Sequence, residues 1–229
     1  MNRTDVIQKI ISKKKARKYL EIGVANGKNF FPIKARQKIA VDPKFIFSKK
    51  RRIIWMLRNF YNITSRFYEM RSDTYFANAK VSNCQDVVFI DGLHSYKQSL
   101  KDVQNALRNL DKNGVIIMHD CCPPHKAAAH PADSYNHAVS LNIPGWDRQW
   151  CGDVWKTICY LRSCRKDLKV FVLSCDYGLG IITRGESENT LSLTEDDLDK
   201  MNYDDLVKNR ENYLNIKDES YLFEFLKTI

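Results

Sequence analysis

Residues 86–118, DVVFIDGLHSYKQSLKDVQNALRNLDKNGVIIM, read as a strand, a helix and a second strand in close succession. Val87-Val88-Phe89-Ile90 is a short β-branched and aromatic run, the pattern of a strand buried on both faces, and it closes on Asp91-Gly92. Ser95 offers a helix N-cap with Gln98 three positions on, the spacing of a capping box. Leu100, Val103, Leu107 and Leu110 then recur at three- and four-residue intervals along one helical face. Asn113-Gly114 is expected to end that helix, and Val115-Ile116-Ile117-Met118 to form the next strand. A strand, a crossover helix and another buried strand imply parallel pairing.

The same alternation continues on both sides. Upstream, residues 18–22 read as a strand, followed by a glycine-containing turn and a short helix from about Lys28. Residues 38–41 read as a strand ending at Asp42, residues 48–60 as a basic helix and residues 66–70 as a third strand. Downstream, residues 121–150 hold Pro123, Pro124, Pro131, Pro144 and three histidines without a usable period, which marks a long functional loop. Asp153 is placed to cap a helix carrying Val154, Ile158 and Leu161. Residues 168–173 and 180–183 read as strands joined by Asp176-Tyr177-Gly178, a connection short enough to require antiparallel pairing. Residues 195–213 have the pattern of acidic amphipathic helices. The expected fold is therefore α/β: a Rossmann-like three-layer sandwich with a mostly parallel seven-stranded sheet and an antiparallel last strand. One domain over 1–229 is expected, with an N-terminal helix in 1–17, an active-site loop at 121–150 and a C-terminal helical extension over 186–229.

Composition agrees with this architecture. The 229 residues are 44% hydrophobic and 28% charged, an ordinary globular balance, and a chain of this length can bury one sizeable core. No apolar stretch approaches the ~20 residues a membrane span needs, and the N-terminus lacks the apolar region of a secretory signal. Seven cysteines, an odd number without a CxxC pair, argue against a disulfide framework and a zinc knuckle. A cytoplasmic protein with reduced thiols is the expectation. The net charge of +10 is concentrated in runs at 13–18 and 49–52, which either attract phosphates and anionic surfaces or form solvated helix faces.

Residues 21–27, Glu21-Ile22-Gly23-Val24-Ala25-Asn26-Gly27, lie where the first strand turns into the first helix expected after it. Glycines at such a turn let the backbone approach a ligand, and Asp42, ending the second strand, lies where an adenosine ribose presents its hydroxyls. The spacing is not GxGxxG, which disfavours a dinucleotide and with it a nicotinamide-dependent oxidoreductase. Here the chain resembles the class I S-adenosylmethionine-dependent methyltransferases, from about Tyr19 to Gly185. Phe89-Ile90-Asp91-Gly92-Leu93-His94-Ser95-Tyr96, Val115-Ile116-Ile117-Met118-His119-Asp120 and Gly152-Asp153-Val154-Trp155-Lys156 resemble the subgroup of small-molecule and sugar O-methyltransferases.

The resemblance implies S-adenosylmethionine as cofactor. It implies that Glu21, Gly23 and Gly27 line its methionine and ribose part, that Asp42 takes the ribose hydroxyls, and that Ser72 and Asp73 approach the adenine; the last two also suit an ordinary helix N-cap. Asp91 and His119-Asp120 end strands four and five, and in an open α/β sheet such positions face one crevice, which gives Asp91 a part in cofactor and acceptor binding. In metal-dependent relatives these positions carry ligands, so Asp91, His119 and Asp120 are candidate ligands of a divalent ion, Mg²⁺ or Mn²⁺. The imidazole departs from an all-oxygen set, and the alternative is a core-edge histidine. Asp91, His94 and His119 are the catalytic candidates, His94 as the group that accepts a hydroxyl proton. His125, His130, His137, Trp146 and Trp150 are placed to shape an acceptor pocket. The expected acceptor is a sugar or other small polar molecule; nucleic acid, suggested by the basic runs, is the less favoured partner because no base-methylation motif or RNA-binding module is present. A non-catalytic domain of the same fold is the remaining alternative.

Overall fold

The computed structural model describes residues 1–78 and 84–229. In chain order its elements are α1 (Arg3–Lys14), β1 (Lys18–Ile22), β2 (Gln37–Asp42), α2 (Lys49–Arg58), a single 3₁₀ turn (Phe60–Asn62), β3 (Arg66–Glu69), α3 (Ser72–Asn78), β4 (Gln85–Ile90), α4 (Tyr96–Arg108), β5 (Leu110–Met118), α5 (Tyr135–Ser140), α6 (Trp155–Cys164), β6 (Leu168–Leu173), β7 (Leu179–Arg184), α7 (Glu195–Lys200), α8 (Tyr203–Lys208), α9 (Arg210–Leu214), β8 (Ile216–Lys217) and α10 (Tyr221–Thr228). Among the described residues there are eight strands rather than the seven expected. No helix of the described residues is long and apolar enough to cross a membrane.

The chain forms two compact units, residues 1–92, 102–117 and 223–229 in the first and residues 93–101 and 118–222 in the second. In the first, strands run in the order β3-β2-β1-β4-β5. β1 pairs in parallel with β2 (Ile22 opposite Val41) and with β4 (Ile22 opposite Ile90), and β2 pairs in parallel with β3 (Asp42 opposite Glu69). The carboxyl ends of these strands therefore share one edge, where Gly23, Asp42 and Asp91 lie. The buried faces are the apolar runs read from the sequence: Val87, Val88 and Phe89 are fully buried, as are Val6, Ile7 and Ile10 of α1, the helix that lies against β4. An Asn2–Asp5 capping box starts α1, and Lys15 ends it in the left-handed region at φ 52°.

In the second unit β6 and β7 pair antiparallel, as the short connection required, with Val170 opposite Ile182. Asp176, Tyr177 and Gly178 all take positive φ in that turn. Beyond β6 runs β8, a two-residue parallel strand inside an extension for which the sequence pattern predicts only helices. Asn215, left-handed at φ 48°, stops α9 and turns the chain onto the sheet, and its Nδ2 donates to the Val170 carbonyl at 3.1 Å.

Three local readings are corrected. No helix follows the glycine turn at Lys28, because the carbonyls of residues 30–33 are taken by other groups. Lys38 Nζ donates to Phe30 O and Ile33 O, Asn59 Nδ2 to Phe31 O, Pro32 O and Ile33 O, and Asn62 Nδ2 to Phe31 O. With those acceptors occupied and Pro32 lacking a donor, the segment is held by side chains instead of an i→i−4 ladder. The helix α4 ends at Arg108, not at 113–114: Asn109 donates to Ala106 O and accepts from Gln85 N–H at 2.7 Å, so the backbone has already joined the sheet. Finally, Asp153 does not cap α6. Its Oδ1 accepts from the Tyr96 N–H at 2.6 Å, at the start of α4.

Candidate functional site

At the strand edge of the first unit the backbone is packed against itself. Gly23 has φ 83°, and a Cβ there would lie 1.8 Å from the Asp91 carbonyl oxygen; Gly27 has φ 74°, and its Cβ would lie 2.4 Å from the Phe31 ring. Gly23 N–H donates to Val41 O and Asp91 N–H to Ile22 O, which fixes the turn between β2 and β4. The glycines thus meet an internal demand before any ligand arrives. Asp42 is buried, and its carboxylate braces the turn from below: Oδ2 accepts from Ala25 N–H at 2.8 Å and Oδ1 from Lys44 N–H at 2.7 Å. A carboxylate has about four acceptor positions, so two remain. Ser72 and Asp73 occupy the first turn of α3.

Glu21 is buried beneath this turn. Its Oε2 accepts from the Tyr19 hydroxyl at 2.5 Å and from Asn29 Nδ2 at 2.9 Å, and Asn29 Oδ1 in turn accepts from the Thr4 hydroxyl at 2.7 Å. Burial pushes the Glu21 carboxyl up to about 8 and the Tyr19 hydroxyl well above its ordinary value, while burial draws the Lys38 ammonium down to about 7. Arg3, from the first turn of α1, donates to Asp91 Oδ2 at 2.8 Å. Nothing in the sequence singles out Arg3, Thr4, Tyr19 or Asn29. Arg3 and Asp91 stand 88 positions apart, and no local pattern announces such a pair.

In the second unit His94, His119 and Asp120 come together. His94 Nδ1 lies 2.5 Å from the Trp150 carbonyl and Nε2 lies 3.3 Å from Asp120 Oδ2. A carbonyl only accepts, so Nδ1 carries the proton, and Nε2 faces the Asp120 carboxylate, which pairs with it when that nitrogen is protonated. His119 Nδ1 lies 2.9 Å from Asp120 Oδ2 and its Nε2 lies 3.4 Å from Asp176 Oδ1, so this buried ring sits between two carboxylates. Asp120 itself is held at φ 60°, a left-handed conformation uncommon for aspartate, at the end of β5. Gly152 is fixed against His94: a Cβ on it would meet the His94 carbonyl oxygen at 1.8 Å. Asp176 is a turn residue by its sequence alone; its positive φ in the hairpin aims it at His119.

Residues 121–150 fold on themselves around one short helix, α5. Ala132, Ala138 and Trp150 make a small core against which Trp146 packs. Trp150 Nε1 donates to His130 O at 2.9 Å, and its ring centre lies 5.0 Å from that of His94. His125 and His137 serve local turns, His125 Nδ1 accepting from Ala128 N–H and His137 Nδ1 from Asp133 N–H.

Residues 20–121, a little under half of the chain, match the family model described as a methyltransferase domain. No curated protein matches the chain by sequence. Among solved structures the chain is similar to the O-methyltransferase TomG from Streptomyces achromogenes in complex with SAM (12% identity, TM-score 0.54, 78% of each chain covered). It is also similar to an O-methyltransferase from Bacillus cereus in complex with SAH (16%, 0.52, 80% of each chain). A third is the SAH-bound methyltransferase PaMTH1 from Podospora anserina (16%, 0.51, 81% of this chain and 80% of that one). Residues 20–121 thus match a methyltransferase domain, and the chain has the α/β Rossmann-like fold of these solved structures.

Proposed function

We propose that this chain moves the methyl group of S-adenosylmethionine to a hydroxyl of a sugar or other small polar metabolite. The observation that carries the reading is the braced turn at Gly23–Gly27 over Asp42, within the residues that match a methyltransferase domain. In this reading Glu21, Gly23, Gly27 and Asp91 line the methionine and ribose part of the cofactor, Asp42 offers its two remaining acceptor positions to the ribose hydroxyls, and Ser72 and Asp73 approach the adenine. The solved relatives TomG and the Bacillus cereus protein, bound to SAM and SAH, are O-methyltransferases by name, which favours oxygen as the accepting atom.

The sulfonium needs no activation, so most of the rate comes from holding acceptor oxygen, methyl carbon and sulfur in line. The acceptor's oxygen forms the new C–O bond as the S–CH3 bond breaks, S-adenosylhomocysteine leaves, and the hydroxyl proton passes to a base. His94 supplies that base: its Nδ1–H is committed to the Trp150 carbonyl, so the proton goes to Nε2, where Asp120 Oδ2 at 3.3 Å stabilises the imidazolium that forms. Asp91, with one oxygen held by Arg3, orients the acceptor, and His119 with Asp120 fixes the wall of the pocket. Of the three metal ligands expected from the sequence, His119 and Asp120 stand as a nitrogen–oxygen pair at 2.9 Å. That donor chemistry suits Mn²⁺ better than Mg²⁺, and a bound ion would lower the pKa of the acceptor hydroxyl.

The test uses methyl-tritiated S-adenosylmethionine with a panel of sugars and phenols, with and without Mn²⁺. Transfer to at least one hydroxyl acceptor is expected, and His94→Ala should lower kcat by about 10²–10⁴ while leaving S-adenosylhomocysteine affinity unchanged. No transfer to any hydroxyl acceptor, or full activity in His94→Ala, would contradict the proposal.

A further inference from the structure

The helix α2 is built the wrong way round for a helix that serves only its own core. Successive residues are 100° apart on a helix, so Ile53, Ile54 and Leu57 form one stripe with Lys49, Lys50 and Arg58 beside it. That face points to solvent: Leu57 is 71% exposed and Ile53 58%. The inward face holds Trp55, stacked on Phe31 at 5.8 Å, and Arg52, whose guanidinium lies 4.0 Å from the Phe67 ring centre. No residue of α2 is buried. The apolar surface continues on both sides, with Ile46 at 69% and Phe60 at 72% exposure and Tyr61 and Ile63 also exposed. From residue 43 to residue 68 the chain carries Lys44, Lys49, Lys50, Arg51, Arg52, Arg58 and Arg66 and no Asp or Glu.

Tyr61 also lines an open groove of about 520 Å³ at the other end of the patch, with Lys15, Lys34 and Arg36 around it. The groove is ordered by its own contacts: Gln8 Oε1 accepts from Lys34 N–H at 2.7 Å, and Lys15 is fixed at the left-handed end of α1. Lys15 of the first basic run thus lies by Tyr61, and the second run, at 49–52, lies beside exposed aliphatic side chains in the same unit of the protein.

The geometry points to this face as a docking surface for an anionic lipid membrane, with Ile53, Ile54, Leu57 and Phe60 entering the interface and the lysines and arginines meeting lipid phosphates. Apolar side chains that protrude beside cations, on a helix too short to span, suit a bilayer surface. Nucleic acid fits less well, because Trp55 and Phe67 already pack with Phe31 and with Arg52 and the protruding groups of α2 are aliphatic, so only Phe60 and Tyr61, outside the helix, offer bases an exposed ring. A second copy of the chain fits less well too, since apposing this face to itself sets seven cations against seven.

The experiment is vesicle flotation with the full chain, comparing phosphatidylcholine vesicles with vesicles that also contain phosphatidylserine. The wild type should float only with the anionic vesicles and be released by high salt. Lys49→Gln combined with Lys50→Gln should weaken partitioning about 30-fold at the usual contribution per surface cation. Ile53→Ser with Leu57→Ser should weaken it at least tenfold, a rough scale for two exposed aliphatic groups leaving the interface. Circular dichroism and S-adenosylhomocysteine binding report that each variant is folded. Hydrogen exchange on the wild type gives a second readout that needs no variant: amides of 49–63 should gain protection on anionic vesicles. Equal flotation with both vesicle types, variants that float like the wild type, unchanged exchange at 49–63, preferred binding to an RNA oligonucleotide, or dimerisation through this face would each overturn the proposal.

Discussion

Gly23 shows how much one position can fix. Its φ of 83° and the 1.8 Å approach of a built Cβ to the Asp91 carbonyl leave no room for a side chain. Gly23→Ala should therefore destabilise the fold by at least ~2 kcal/mol, read as a lower urea midpoint, and a midpoint equal to wild type would contradict the packing described. The glycines and Asp42 are legible in the sequence because a turn at the end of a strand imposes local demands that only a few residue types meet. His94 is legible as a chemical group, yet its orientation is not. The Trp150 carbonyl that fixes its tautomer belongs to a residue 56 positions away, and any residue type could have supplied that carbonyl. Arg3 is invisible for the same reason, since its partner Asp91 is set by tertiary packing.

Among the elements, period and length are enough for the long buried strands, for α4 and for the β6–β7 hairpin. Ends and caps are harder to read, because side chains from elsewhere replace backbone partners there. Lys38, Asn59 and Asn62 take the carbonyls that a helix after Lys28 would have used, and Asp153 caps α4 instead of α6. The strand β8 is two residues long and carries no period at all; it is held in place from α6. Arg162, buried in that helix, donates to the carbonyls of Asn212 and Tyr213 and, at 3.0 Å, to that of Asn189. Arg162→Ala removes the charged donor from three carbonyls, which keep only the weaker partners Asn215 N–H, Cys159 Sγ and Ser187 Oγ, and should cost about 1.5–3 kcal/mol in urea denaturation. A cost below 0.5 kcal/mol or so, the scale of an ordinary surface change, would show that the clamp does not matter.

The buried groups of β1 and β2 also set a pH dependence. Folded Glu21 keeps its proton up to about 8 against an ordinary 4.5, so the folded state binds more protons over that window and stability falls as pH rises through it. Folded Lys38 loses its proton near 7 against an ordinary 10.5, so stability rises again from about 7 upward. A minimum between 7 and 8 results from these two groups. Glu21→Gln removes the falling limb, which is worth roughly 3–5 kcal/mol for a fully buried carboxyl shifted this far. Denaturation across the pH range checks this, and a wild-type stability flat between pH 5 and 8 would contradict it.

For the molecule as a whole, the parallel strands, the antiparallel pair and the methyltransferase-domain match over residues 20–121 agree with one another. The acceptor is the least legible part, because, Asp91 apart, the groups proposed to contact it lie in residues 93–101 and 118–222, where an irregular loop and local packing replace periodic pattern. The cofactor is the central claim, and Asp42 is where it can be tested most directly. Calorimetric titration with S-adenosylhomocysteine should show micromolar binding to the wild type. Asp42→Asn, with its thermal midpoint checked, should bind about 10- to 100-fold more weakly through loss of the charged acceptor for the ribose hydroxyls. Absence of binding to the wild type, or equal affinity in the variant, would contradict the account.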